Sequence, residues 1–115
     1  SWNRSRVMSD LDRHAAAFAA LGHPARLAIV RHLLAAHPSG LVANELQSEL
    51  DIPASTLSHH LDTLRQERLI DQEREGKFLR YRADEKGLKD VLGFLYAECC
   101  TRYPNVELLS IGRKR

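Results

Sequence analysis

The chain has 115 residues, of which 43% are hydrophobic and 28% charged, so we expect one globular domain. Its net charge of +2 is weak evidence for nucleic-acid binding, so the distribution of charge along the chain must provide that evidence. No window of about 18 apolar residues occurs, so we do not expect a membrane-spanning protein. The opening SWNRSRVMSD lacks the apolar core of a signal peptide, so we do not expect an exported protein. Two cysteines without an export signal favour the cytoplasm, where thiols stay reduced.

Three segments are predicted. Residues 1–8 are expected to be a tag remnant or a disordered start, because Met8 follows a short polar stretch. Residues 9–103 are expected to form the folded domain. Residues 104–115 form a tail that ends in the basic cluster RKR.

Two helices open the predicted domain. The first covers residues 10–21, where Ser9 can cap it, two aspartates suit its positive end and Gly22 can end it. Pro24 fits the first turn of the second helix, PARLAIVRHLLAAH, before a break at residues 38–40. The second helix is predicted to have a broad apolar face formed by Leu27, Ile29, Val30, Leu33 and Leu34.

A short strand at residues 41–42 precedes a third helix at 43–50, a turn at 51–53 and a longer helix at about 54–67. This order is typical of a helix-turn-helix that reads DNA. A stripe of Leu57, Leu61 and Leu64 is predicted to face the core, with His60 packed beside it. Small hydroxyls and an imidazole can reach base edges and phosphates, so four residues are predicted to contact DNA: Ser55, Thr56, Ser58 and His59.

Two strands with period-two alternation, LIDQERE and KFLRYRAD around Gly76, predict a β-hairpin wing. Residues 74–82 contain four basic residues against Glu75 alone, which concentrates +3 in the wing. This distribution predicts phosphate contacts, although an ordinary solvated hairpin remains the alternative. The basic residues are Arg74, Lys77, Arg80 and Arg82.

A last helix is predicted to begin at Asp84 or Glu85 and to be limited by Pro104. Its apolar positions recur at helical spacing and form one stripe. They are Leu88, Val91, Leu92, Leu95, Tyr96 and Cys99.

The segments LGHPARLAIVRHLL and ANELQSELDIPASTLSHHLDTLRQERLIDQEREGKFLRYR resemble the ArsR/SmtB family of bacterial repressors over residues 12–98. The resemblance implies a mainly α fold with a β-hairpin wing, a winged helix-turn-helix. It also implies a homodimer formed through the first and last helices, which binds a palindromic operator in double-stranded DNA. The two DNA-reading helices would lie about 34 Å apart, and an inducer would release the DNA.

This chain departs from the family at its sensor sites. The third helix, NELQSEL, lacks the family's Cys-x-Cys pair, and the last helix lacks the histidine of a carboxylate–histidine metal site. Both cysteines are adjacent instead, at Cys99 and Cys100, where some arsenic-responsive members are similar. Because soft thiolates select soft acceptors, this metal-binding pair is predicted to bind trivalent arsenic, as As(III) or methylarsenite, or antimonite.

Arsenite usually takes three sulfurs, so its third position would hold water, a small thiol such as glutathione, or a thiolate of the other subunit. Methylarsenite needs only the pair. Adjacent side chains on a helix point about 100° apart. Binding is therefore expected to distort residues 97–101 and to change the spacing of the DNA-reading helices.

Other interpretations remain open. Cys99 continues the apolar stripe of the last helix and could pack as a small hydrophobe. Packing explains Cys100 less well, because Cys100 lies off this stripe. The pair could also form a vicinal disulfide or react with sulfide or peroxide, giving a redox- or persulfide-responsive repressor of the same fold. A winged helix used only for protein contacts fits the basic wing poorly. An enzyme is not expected, since no Cys-x-x-Cys or phosphate-cradling loop occurs, and neither is a permanent cofactor.

Overall fold

The computed structural model describes residues 9–100, with side chains for residues 9–97. The predicted start at 1–8, the tail at 104–115 and the effect of Pro104 on the last helix lie outside the described residues. The elements in chain order are α1 (Asp10–Leu21), α2 (Pro24–Ala35), β1 (Leu41–Val42), α3 (Ala43–Leu50), α4 (Ala54–Gln66), β2 (Ile70–Glu75), β3 (Phe78–Ala83) and α5 (Glu85–Cys100).

Local hydrogen bonds fix where three helices begin. The Ser9 hydroxyl accepts from the Asp12 amide at 3.1 Å, which confirms the predicted cap of α1. The Nδ1 atom of His23 accepts from the Ala25 amide at 3.1 Å at the start of α2. The Asp84 carboxylate accepts from the amide of Gly87 at 3.0 Å at the start of α5.

The core lies where α2, α3, α4 and the sheet meet, and it includes the predicted leucine stripe of α4. The predicted apolar face of α2 is only partly buried, because Leu27 and Leu34 are 47% and 50% exposed. Seven residues apart, they share the side of the helix turned away from Ile29 and Leu33. The largest fully buried side chains are Ile29, Leu33, Leu46, Leu61, Leu64, Leu69 and Ile70.

The sheet is antiparallel with strand order β1-β3-β2, and Leu41 pairs with Tyr81. Its inner face buries Ile70, Tyr81 and Ala83, whereas its outer face carries charged side chains. Because strands alternate their side chains between two faces, the hairpin has one apolar and one polar side, as predicted. The structure therefore confirms a winged helix-turn-helix with β2 and β3 as the wing. No helix in the described part of the chain is long and apolar enough to cross a membrane.

Candidate nucleic-acid interface

The outer surface of α4 gathers the four helix residues that were predicted to contact DNA. Ser55, Thr56, Ser58 and His59 are all exposed. The opposite side of the helix buries Leu57, Leu61 and Leu64 in the core. No side chain caps the start of α4, so the first-turn amides are left for solvent or an anion such as phosphate.

A polar contact that the sequence does not reveal anchors α4 to the rest of the domain. His60 is only 6% exposed, and its Nδ1 lies 3.2 Å from Nη1 of Arg26. A guanidinium group can only donate, so Nδ1 of His60 accepts and the ring is neutral with its proton on Nε2. Arg26 also donates through Nε to the Ala20 carbonyl at 2.7 Å, which links α4 to the end of α1.

Burial lowers the pKa of His60 first, and the positive charges of His23 and Arg26 lower it further. The rings of His23 and His60 lie 4.7 Å apart between centroids. A buried imidazole needs a hydrogen-bond partner, so the predicted packing of His60 implies one. Thirty-four residues separate Arg26 from His60, so no local sequence pattern could identify Arg26 as that partner.

The wing divides its four basic residues into two pairs. Arg74 and Lys77 are exposed at the tip, and Nη1 of Arg74 lies 3.4 Å from the Gly76 carbonyl. Arg80 and Arg82 lie on the outer face of β3 instead. Nε of Arg80 is 2.9 Å from Oε1 of Glu75, and Nη1 of Arg82 is 2.6 Å from Oε1 of Glu73.

Glu73 lies one residue before the window in which the wing charge was counted, so the count overestimated the free positive charge. An arginine that already binds a carboxylate has less of its charge available to a phosphate. The structure thus places all four basic residues on one hairpin but leaves only its tip openly basic.

Charged groups also join α1 to α5. Nη1 of Arg13 lies 3.0 Å from Oδ2 of Asp90, and this hydrogen bond is the main cause of the lowered pKa of Asp90. Nε2 of buried His14 lies 3.3 Å from the same oxygen, but not in the direction of a hydrogen bond. The His14 ring stacks on Phe94 with centroids 4.0 Å apart. Arg13, His14 and Asp90 line part of a cleft of about 800 Å³ between α1, the end of α4 and the start of α5.

The same two helices expose large apolar side chains. Leu11 on α1 is 67% exposed, while Leu92 and Leu95 on α5 are 49% and 57% exposed. The backbone of α5 continues through Cys99 and Cys100, which form its last turn. Their thiols lie outside the described side chains, so the geometry of the thiol pair stays a prediction.

A helix-turn-helix with an exposed, uncapped DNA-reading helix beside a basic-tipped hairpin defines a winged-helix DNA-binding regulator. Residues 21–73 match the model of a helix-turn-helix domain family. A biofilm growth-associated repressor of Agrobacterium fabrum is 36% identical over 86 residues, which cover 75% of this chain and 71% of that protein.

Two solved structures have the same fold. HlyU from Vibrio cholerae, also solved in a reduced form, has a TM-score of 0.64 and 26% identity over 82% of this chain and 99% of its own. A homodimeric winged helix-turn-helix domain from Mycobacterium bovis, a possible ArsR-family transcriptional regulator, has a TM-score of 0.63 and 22% identity over 85% and 88%. This chain belongs to the ArsR/SmtB family and is a DNA-binding transcriptional repressor of that type.

Proposed function

We propose that this repressor binds a palindromic operator as a homodimer and is released when a trivalent arsenical, arsenite or methylarsenite, or antimonite binds Cys99 and Cys100. The observation that carries the proposal is the course of α5. One uninterrupted helix bears both the exposed leucines and the backbone of the thiol pair. A ligand that distorts the end of this helix would therefore act on the same element that joins the subunits.

The apolar surface of α1 and α5 supports the dimer. Burial of apolar surface would stabilise the dimer by roughly 25 cal/mol for every Å² removed from water. The side chains available for such burial are Leu11, Leu92 and Leu95. The homologous domain from Mycobacterium bovis is homodimeric, in keeping with this arrangement. Two copies would present two α4 helices to successive major grooves.

The exposure of four polar side chains on the outer surface of α4 supports the proposal that they contact bases and phosphates. These residues are Ser55, Thr56, Ser58 and His59. The test uses a duplex that the wild-type protein selects from a random library. Ser58→Ala removes one hydroxyl from each subunit without weakening the helix and should cost about 1–3 kcal/mol of binding for the dimer, roughly 5- to 150-fold. Gln66→Ala, at the other end of α4, is the matched control and should bind as tightly as the wild type. Equal losses in both variants would contradict DNA reading by the first half of α4.

Native mass spectrometry of the reduced dimer with arsenite or methylarsenite tests the inducer. The expected result is one arsenic per subunit, lost when Cys99 and Cys100 are both replaced by serine. Serine keeps the size of the side chain and removes the soft ligand. No uptake of either arsenical by the wild type would contradict the arsenical proposal and leave the repressor fold unaffected.

The second candidate is a repressor released by oxidation or persulfidation of the same thiols. The likeness to HlyU over 99% of that chain, and its structure in a reduced form, favour a comparison of redox states. Treatment with peroxide or polysulfide, followed by a DNA-binding assay, separates the two candidates. Release by these oxidants without arsenical uptake would establish the redox version.

A further inference from the structure

We infer that Arg80 and Arg82 are positioning residues that fix the wing against the loop before β1, and that only the tip residues Arg74 and Lys77 contact the operator backbone. The inference rests on the proposed operator binding. It revises the sequence-based expectation that all four basic residues of the wing contact phosphate. The contacts of the two arginines within the domain carry the argument.

Arg82 joins the two strands of the wing to the loop. Its Nη1 donates to Oε1 of Glu73 on β2 at 2.6 Å, and its Nε donates to the Pro38 carbonyl at 3.2 Å. The side chain is 29% exposed. Pro38 lies forty-four residues earlier in the chain, so this contact is tertiary and ties the hairpin to the segment between α2 and β1.

Arg80 repeats the arrangement one step nearer the tip. Its Nε donates to Oε1 of Glu75 at 2.9 Å, and its Nη1 lies 3.3 Å from the Gly40 carbonyl and 3.5 Å from the Ser39 carbonyl. The side chain is 26% exposed. A planar guanidinium group with donors in fixed directions suits this simultaneous contact with a carboxylate and with backbone carbonyls.

The loop can receive these arginines because it comes unusually close to β3. Gly40 has a φ of +77°, and a Cβ atom there would overlap the carbonyl oxygen of Tyr81 and lie 2.7 Å from Cγ of Arg82. The backbone carbonyls of residues 38–40 therefore lie directly against the polar face of the wing. Two arginines, two glutamates and three carbonyls form one connected network.

The network has two consequences for DNA. It neutralises Glu73 and Glu75, whose carboxylates would otherwise repel phosphates, and it sets the direction in which the hairpin leaves the domain. The exposed residues Arg74 and Lys77 then extend from a fixed base. If the wing could pivot, Arg74 and Lys77 would occupy many positions relative to the phosphates. The affinity for DNA would then fall although no phosphate-contacting residue had been removed.

The experiment compares the wild type with Arg82→Gln, Arg82→Lys and Lys77→Gln. The probe is the selected duplex, titrated between about 0.05 and about 0.3 M salt. A phosphate contact has a known signature, since its removal reduces the slope of log affinity against log salt by about 1. Lys77→Gln removes one such contact from each subunit of the dimer and is therefore expected to reduce the slope by about 2. All variants are measured well below their melting temperatures, so a loss of stability alone would not alter the affinity.

Both Arg82 variants are expected to lower affinity about tenfold or more, with the salt slope of the wild type. Arg82→Lys is decisive because lysine keeps the charge but lacks the Nε donor and the fork. Glu73→Gln is expected to weaken binding although it removes a negative charge. A reduced slope in Arg82→Gln together with near wild-type binding by Arg82→Lys would overturn the inference, as would tighter binding by Glu73→Gln.

The same titrations distinguish failure of this inference from failure of the proposed function. If Lys77→Gln reduces the slope and Arg82→Gln reduces it equally, operator binding stands and the positioning role falls. If the wild type binds the selected duplex no better than a scrambled one, operator binding and the positioning role fall together.

Discussion

Replacement of Gly40 by alanine should damage the domain far more than the same change at Gly76. Both glycines have a positive φ, +77° for Gly40 and +63° for Gly76, so both alanine variants lose about 1–2 kcal/mol from the left-handed backbone conformation. The surroundings differ. Apart from its chain neighbours, no described residue has an atom within 4 Å of a Cβ placed at Gly76, whereas a Cβ at Gly40 meets the Tyr81 carbonyl and Cγ of Arg82.

The Tyr81 carbonyl belongs to the backbone of β3, the central strand of the sheet, and cannot rotate away, so the loop and β3 must separate. Overpacking of this kind typically costs about 1–3 kcal/mol. We therefore expect Gly40→Ala to lose about 2–5 kcal/mol of unfolding free energy and Gly76→Ala about 1–2 kcal/mol. Part of the loss at Gly40 arises because the carbonyls of residues 38–40 move away from Arg80 and Arg82.

Urea unfolding at one fixed protein concentration measures both variants, since the stability of a dimer depends on concentration. Midpoints are compared only if the m-values agree, so that the denatured states are equivalent. Equal losses at the two glycines would refute the close approach of the loop to β3. They would also remove the structural basis of the arginine network.

Two further predictions concern His60 and the apolar surface of α5. Because the pKa of His60 is lowered in the folded chain, the unfolded chain takes up this proton first as the pH falls, and the stabilising contribution present above about pH 6.5 is lost. His60→Gln still accepts a hydrogen bond from Arg26 but does not titrate, so its urea midpoint should drop less than that of the wild type between about pH 8 and about pH 5. An equal drop in both proteins would show that His60 is not the origin of the pH dependence. Leu95→Glu should give a monomer by analytical ultracentrifugation, whereas Leu34→Glu should remain a dimer, since Leu34 is similarly exposed but lies on α2. The reverse result would place the interface elsewhere.

The features that follow from local physics could be predicted from the sequence. The cap at Ser9, the leucine stripe of α4 and the alternation in the hairpin all depend on residues within a few positions of one another. These signals placed the helices and strands within about two residues of their observed bounds, apart from the end of α5, where the prediction falls outside the described residues. They also placed four polar residues together on the outer surface of α4.

The features that depend on distant residues could not be predicted. Arg80 and Arg82 appeared free for phosphate because their carbonyl partners lie about forty residues earlier in the chain. The spacing of the apolar residues of α2 does not show which of them are buried, and Leu27 and Leu34 turn away from the core. The partner of His60 likewise depends on how α1, α2 and α4 pack.

We propose that a trivalent arsenical bound to Cys99 and Cys100 releases the operator. The most direct test of this proposal is fluorescence anisotropy of the labelled selected duplex bound to the reduced dimer, titrated separately with arsenite and methylarsenite. We expect the wild type to be released near one arsenical per subunit, and the Cys99→Ser, Cys100→Ser double variant to stay bound. Release of both proteins at the same arsenical concentration, or of neither, would contradict it.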